Sequence, residues 1–191
     1  QKTAYEIMPS LVGSEMCIRD RDLLISRINE ISKMMMDEGM PLAYHHHMGT
    51  VNETEDETRR LIESTSDSVK LLIDTGHMLF AGGNSIKLTE DFMERIIHVH
   101  CKDIRKDVLE KSLKNDSTFR QAFLDGAFTV PGDGCIDYKP FLTVLKNRNY
   151  EGWLVVEAEQ DPAKANPFDY AKIGYNYLSK TAKDCGFDII S

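Results

Sequence analysis

An α/β fold built on a parallel sheet is what this sequence predicts, and three observations carry the prediction. Short, nearly continuous apolar runs alternate with longer segments whose apolar residues recur at helical spacing, the pattern of a sheet covered by helices. All six histidines fall in three short windows, His45 to His47, His77, and His98 with His100, and each window ends or follows an apolar run. Acidic residues lie close to those windows or match them further on. Polar side chains gathered at strand ends suit the face of a sheet where catalytic sites are built.

Taken in order, Leu23, Leu24, Ile28, Ile31, Met34 and Met35 recur at helical spacing up to Gly39, a glycine placed to cap the helix. The Met34 to Met36 run reads as helix core. Met40 to His45 is a short apolar run, the first strand. Thr54 with Glu57 three residues on is a capping-box pattern, and Leu61 and Ile62 continue that helix. Val69 to Ile73 is a buried strand ending at Asp74, and His77 lies in the loop beyond it. Leu88, Phe92, Ile96 and Ile97 fit a helix that runs into the strand Ile97 to Cys101. A polar, helical insertion spans Arg105 to Asp125, and Phe128 to Asp137 is a loop holding Pro131, Gly132 and Gly134. Tyr138 to Asn147 is an amphipathic helix, Trp153 to Val156 a strand ending at Glu157, and Phe168 to Lys183 a closing helix.

Composition narrows the function classes. A formal charge of −8 argues against a nucleic-acid surface and against a polybasic membrane patch. No apolar run approaches the roughly 20 residues that span a bilayer, and Cys17, Cys101, Cys135 and Cys185 form no CxxC pair, so reduced thiols in a cytoplasmic protein are expected. Neither AGGNS (81–85) nor PGDGC (131–135) has the glycine spacing of a dinucleotide fold. The polar residues beyond the strands favour a (β/α)8 barrel, which typically needs ~250 residues. The sequence therefore reads as an N-terminally truncated TIM barrel, its last five or so βα units forming one domain over residues 22–191. Residues 1–21 lack periodicity and read as a non-native or irregular leader.

Four windows carry the chemistry. In YHHHM, His45 and His47 share one strand face and His46 points the other way, so His45 or His47 can reach a metal. In KLLIDTGH, Asp74 stands where a strand leaves the sheet; it is a metal ligand or a turn cap, and His77 is placed to touch substrate or move a proton. In IIHVHCKD, His98, His100 and Lys102 share parity, pairing an imidazole ligand with a cation that supports developing negative charge. In WLVVEAEQD, Glu157 and Glu159 end an apolar strand on one face and need a metal or a basic partner. Cys101 and Cys135 are expected to be buried as small apolar residues.

These windows, with LLIDTGHMLFAGG, HVHCKDIR and DGAFTVPGDGCIDY, resemble the inosose dehydratases within the xylose-isomerase-like barrel superfamily of sugar-phosphate isomerases and epimerases; the similarity covers roughly Asp22 to Lys183. The resemblance implies a cytoplasmic lyase using Mn²⁺ or Co²⁺ on a small-molecule cyclic polyol ketone, with no nucleic-acid or membrane partner and a homo-oligomer as the compatible assembly. It implies metal ligands at Asp74, His100 and Glu157, with His45 where many relatives carry Glu, and His47 as the competing fourth ligand. It further implies catalytic His77, Lys102 and Glu159, and substrate contacts from His47, His77 and Arg105. Glu157 and His77 are the first candidates for base and acid, with Glu159 replacing Glu157 if the latter binds metal. A sugar isomerase or epimerase on the same site is the alternative. Endonuclease-like hydrolysis with several metals fits the acidic balance poorly. Without the remaining strands, the chain alone is expected to be poorly soluble or inactive.

Overall fold

Runs such as KLLID and IIHVHC send alternate side chains to opposite faces of a strand, and the architecture follows from that alternation. The computed structural model describes residues 18–190, so Cys17 and most of the expected leader lie outside the described residues. Helix α1 (Ile18–Asp37) starts four residues ahead of the expected Asp22. It closes as expected at Gly39, whose φ of +74° lets Met40 N–H reach Met35 O (2.9 Å). Strand β1 (Ala43–His45) follows, then helix α2 (Glu55–Ser64), with Thr54 and Glu57 making both capping-box bonds. Strand β2 (Lys70–Asp74) leads straight into a short helix, α3 (Thr75–Phe80), where a loop was expected.

Helix α4 (Ser85–Phe92) and a 3-10 turn (Met93–Arg95) precede β3 (Ile96–Cys101). Ile96 and Ile97 thus belong to the strand and not to the helix before it. The expected polar insertion is two helices, α5 (Lys106–Lys114) and α6 (Phe119–Leu124). Around it, β4 (Asp103–Ile104) pairs antiparallel with β5 (Phe128–Thr129), so part of the expected loop is a two-residue strand. Helix α7 (Tyr138–Asn147), strand β6 (Trp153–Val156) and helix α8 (Pro167–Asp184) complete the described chain. Among the described residues no helix is long and apolar enough to cross a membrane.

The main sheet is parallel, in the order β1-β2-β3-β6. Strands lie side by side in chain order, as staves of a barrel do, and β3 meets β6 directly because the segment between them forms the separate β4–β5 pair. One face carries Leu71, Ile73, Val99 and Cys101, packed against Leu88, Phe141, Leu142, Leu145, Leu178 and Ala182 of the covering helices. The other face carries Leu72, His98, His100 and Val155, each half-buried.

Helix α1 departs from the reading of its methionines. Met34 and Met36 are 64% and 38% exposed, and the inward stripe runs through Leu24, Ile28, Ser32 and Met35. Three consecutive helical residues are spread over about 200° of the helix circumference, so they cannot all face the core.

Arg95 ties the C-terminal end of α2 to the sheet. Its buried guanidinium donates to Ile62 O (3.2 Å), Val69 O (2.8 Å), Ser66 O (2.8 Å) and Thr65 Oγ1 (3.0 Å). Arg95→Ala strands several buried acceptors at once. It should lower stability by about 2–4 kcal/mol, read as a lower urea midpoint with an unchanged m-value; a shift below about 0.5 kcal/mol would contradict this role.

Candidate active site and metal centre

The strands deliver their polar side chains to one end of the sheet. Register aligns Asp74 with His100 and His100 with Val155, and Glu157 follows Val155 by two residues on the same face. His45 closes β1 beside them. His45 Nε2 lies 3.5 Å from Asp74 Oδ2, and His100 Nδ1 lies 3.6 Å from that oxygen and 2.7 Å from Glu157 Oε2. All four atoms are buried and none has a hydrogen-bonding partner, so the close approaches lack hydrogen-bond alignment. Buried polar atoms left this way are costly and ask for an explanation. Asp74 Oδ2, His100 Nδ1 and Glu157 Oε2 have the donor types that suit a borderline divalent cation, and His45 joins them through the shared Asp74 oxygen. Asp74, His100 and Glu157 offer ligand atoms within 4.8 Å of one another, and so do His45, Asp74 and His77.

Asp74 meets both of its expected readings, one oxygen for each. Oδ1 accepts the His77 N–H (2.8 Å) and caps α3, leaving Oδ2 for the cluster. The Asp74 N–H donates to His46 Nε2 (3.1 Å). His46 is fully buried on the opposite side from His45 and His47, and burial pushes its pKa down to about 3, so the ring is neutral.

Lys102 continues the parity of His98 and His100 and reaches a second group. Its Nζ lies 2.8 Å from His77 Nε2, 3.0 Å from Glu159 Oε2, 3.2 Å from Glu157 Oε2 and 3.4 Å from Asp74 Oδ2. Burial favours the neutral amine, but Asp74, Glu157 and Glu159 outweigh it and raise the Lys102 pKa. Burial likewise opposes ionisation of Glu159, yet His47, His77 and Lys102 hold it well below the usual carboxylate range. His47 Nε2 lies 3.3 Å from Glu159 Oε1, and that bond raises the His47 pKa. Burial lowers the His77 pKa instead. For His100 burial works downward, but Asp74 and Glu157 hold it up at about 9.

The expected residues therefore fall into two touching groups: His45, Asp74, His100 and Glu157, then His47, His77, Lys102 and Glu159. His45, not His47, faces the Asp74 oxygen; His47 is engaged by Glu159 and, through Nδ1, by Met48 O (2.6 Å). The rings of His47 and His77 meet at 3.7 Å between centroids, tilted 43° to each other, and Phe119 and Phe128 wall them. His98 only flanks His100, with ring centroids 5.4 Å apart.

Arg105 lies outside both groups. Its guanidinium donates to Gly126 O, Thr129 Oγ1, Asp133 Oδ2 and Tyr170 Oη, which pins the 128–137 loop. That loop is structural in a second way, since Asp103 Oδ1 accepts the N–H groups of Ile104 and Ile136. Cys101 is buried in the core on the far face of β3, and Cys135, expected to be buried, is exposed because it sits on the loop's outer turn. A shallow cavity lined by Met93, Ile96, Arg148 and Tyr150 opens at the N-terminal ends of β3 and β6, away from these side chains.

Three supports escaped the sequence reading. Gly76 lies where an added Cβ would sit 2.7 Å from Lys102 Cγ and 2.9 Å from Lys102 Cβ, so only glycine lets the lysine stem pass. Thr75 and Tyr138 both donate to Lys102 O (2.7 and 2.9 Å) and fix its backbone. Phe119, from the polar insertion, closes over the paired histidines.

A model of a family described as xylose isomerase-like TIM barrel matches residues 6–181 of the chain. An inosose dehydratase of Clostridium beijerinckii is 49% identical over 159 residues, 83% of this chain and 53% of that protein. The rhizopine catabolism protein MocC of Rhizobium meliloti is 46% identical over 165 residues, 86% and 51% of the two chains. The chain spans about half the length of the curated relatives it matches. Among solved structures, the IOLI protein with a bound zinc atom superposes with a TM-score of 0.70 at 19% identity, covering 94% of this chain and 62% of the other. A probable 3-DHS dehydratase, AsbF, from Bacillus anthracis gives 0.65 at 16%, covering 86% and 58%. At those identities the likeness is one of fold.

Gly76→Ala should force the Lys102 stem aside and cost about 1–3 kcal/mol, the range for overpacking a filled interior. Urea denaturation reads this directly; a variant as stable as the parent would show that the contact yields freely.

Proposed function

The chain belongs to the xylose isomerase-like TIM barrel family, and on that footing we propose that it acts as a metal-dependent inosose dehydratase, a hydro-lyase that removes water from scyllo-inosose to give a trihydroxycyclohexane-dione. The observation that carries the reading is that the ends of β1, β2, β3 and β6 bring two imidazole nitrogens and two carboxylate oxygens together, all four buried and out of hydrogen-bond alignment, around Asp74 Oδ2. The curated relatives named inosose dehydratase support the substrate, a small cyclic polyol ketone. The zinc atom of the IOLI structure supports a divalent ion, for which Mn²⁺ or Co²⁺ is our assignment.

In this reading His45, Asp74, His100 and Glu157 would hold the ion, which when bound would supply Lewis-acid polarisation of the ketone and stabilise the negative charge developing on the substrate's oxygen. The chain's own residues then divide the proton transfers. Against the expectation that Glu159 takes over as base when Glu157 binds metal, both Glu159 oxygens are engaged by His47, His77 and Lys102. Glu157 is about a third exposed and keeps one oxygen outside the buried donor group; we assign to that oxygen the proton α to the ketone. The electron pair left behind forms the carbon–carbon double bond of the enol and expels the β-hydroxyl. The leaving oxygen needs a proton, and His47 is its donor: it is partly exposed, and Glu159 favours its imidazolium. Water departs, and the enol tautomerises to the dione.

His77, the acid first suggested by position, has no exposed surface and is held by Lys102 and Glu159. It therefore orients His47 through the tilted contact of their two rings. Glu159, engaged by three cationic or imidazole groups, is too weakly basic to take a carbon-bound proton and anchors His47 instead. Lys102 adds fixed positive charge beside the developing anion. Arg105 stays with the loop as a support for the substrate side of the site.

Two measurements test the reading. Titrated with Co²⁺ after chelator treatment, the protein should bind the ion with at least about tenfold weaker affinity after His45→Ala and remain within a few-fold after His47→Ala. Equal losses would overturn the ligand set. With scyllo-inosose and added Mn²⁺, dione absorbance should grow, stop with chelator and return with metal. His47→Gln should cut kcat by roughly 10²–10⁴-fold, the share that general acid catalysis supplies. Metal binding without dione would leave the site but remove the dehydratase.

A further inference from the structure

The second group of side chains has the composition of a metal site in its own right. His47, His77 and Glu159 offer ligand atoms within 4.8 Å of one another, as Asp74, His100 and Glu157 do. Two of them belong to side chains that are half-buried, and His77 has no exposed surface. Yet these atoms are not left without a partner. Lys102 Nζ stands 2.8 Å from His77 Nε2 and 3.0 Å from Glu159 Oε2, and it also reaches Glu157 Oε2 and Asp74 Oδ2.

An ammonium has three protons to give and no lone pair, so His77 Nε2 and Glu159 Oε2 must both present lone pairs to it. Side chains presenting lone pairs to one buried positive point are arranged as ligands are arranged around an ion. Lysine is suited to that position, being a compact point charge on a long stem. Its stem reaches the position through the space that Gly76 leaves empty, and Thr75 and Tyr138 fix the backbone from which it starts.

We propose that Lys102 is the second cation of this centre, its ammonium held by His77 and Glu159 where, with His47 beside them, they would otherwise form a latent metal position, and limiting the native protein to one ion. The inference rests on the reading of His45, Asp74, His100 and Glu157 as the site of the first ion. It separates this centre from two-metal sites, whose paired ions clamp the attacking and leaving oxygens of a hydrolysed phosphoryl group. One mobile ion and one covalently tethered cation suit proton transfer on a neutral polyol instead.

The test is an ion count. Chelator-stripped wild-type chain, equilibrated with Co²⁺ and dialysed, should retain one ion per chain by elemental analysis. Lys102→Met keeps an apolar stem of similar length but removes the charge, and it should retain two. Adding His77→Ala to that variant should return the count to one. A Lys102→Met variant that folds by circular dichroism and still holds one ion overturns the inference, as does a wild-type chain holding two. Should Lys102→Met fail to fold, Lys102→Gln carries the same count with the same outcomes. A wild-type chain holding none sinks the first-ion reading, while a His77-dependent ion gained by Lys102→Met would still support this one.

Discussion

Three carboxylates gathered around one fully buried ammonium set the terms for the rest of this structure. Asp74, Glu157 and Glu159 stand within 3.4 Å of a single buried nitrogen, Lys102 Nζ. Like charges held this close in a poorly solvated setting repel strongly, and none of them is stable there without the cation. Lysine in turn is driven toward its neutral form by burial and kept charged only by those carboxylates. Each member depends on the others, so the three strand ends that supply them, those of β2, β3 and β6, have to meet in one place.

The sheet provides that meeting by register alone. Asp74, His100 and Val155 share one level across three strands, and Glu157 rises one step above it. The apolar residues of alternate parity face the helices, where Leu71, Ile73, Val99 and Cys101 hold the strands in place. The same alternation that buries the core therefore points the histidines and the lysine away from it. Core and site are two faces of one pattern, and a slip of one residue in β3 would exchange His98 and His100 for Val99 and Cys101.

That pattern explains how much was legible in the sequence. Alternation placed His45, His100, Lys102, Glu157 and Glu159 on common faces without any three-dimensional information. Helices with strong periodicity, such as Tyr138–Asn147, kept their expected bounds. What escaped depends on contacts between distant segments. Helix α3 has six residues, five of them buried, so it shows no polar face to read. Gly76 looks like any glycine until the Lys102 stem is seen crossing it, 57 residues before its partner Glu159 in the chain. Phe119 sits in a polar stretch and carries no periodic signal, yet it covers His47 and His77. The choice between His45 and His47 was likewise beyond parity, because both share a face; what separates them is their distance from Asp74 and from Glu159.

The divided aspartate has a consequence for how this protein can change over time. One oxygen of Asp74 caps α3 while the other faces the buried donors. Asparagine would preserve the cap and surrender the anionic oxygen. Glutamate would keep the charge, but one more methylene carries the carboxylate past the His77 N–H that fixes it. Position 74 therefore has no neighbouring residue type through which substitutions could pass, and drift there is closed in both directions. The closure comes from geometry at a single carboxylate.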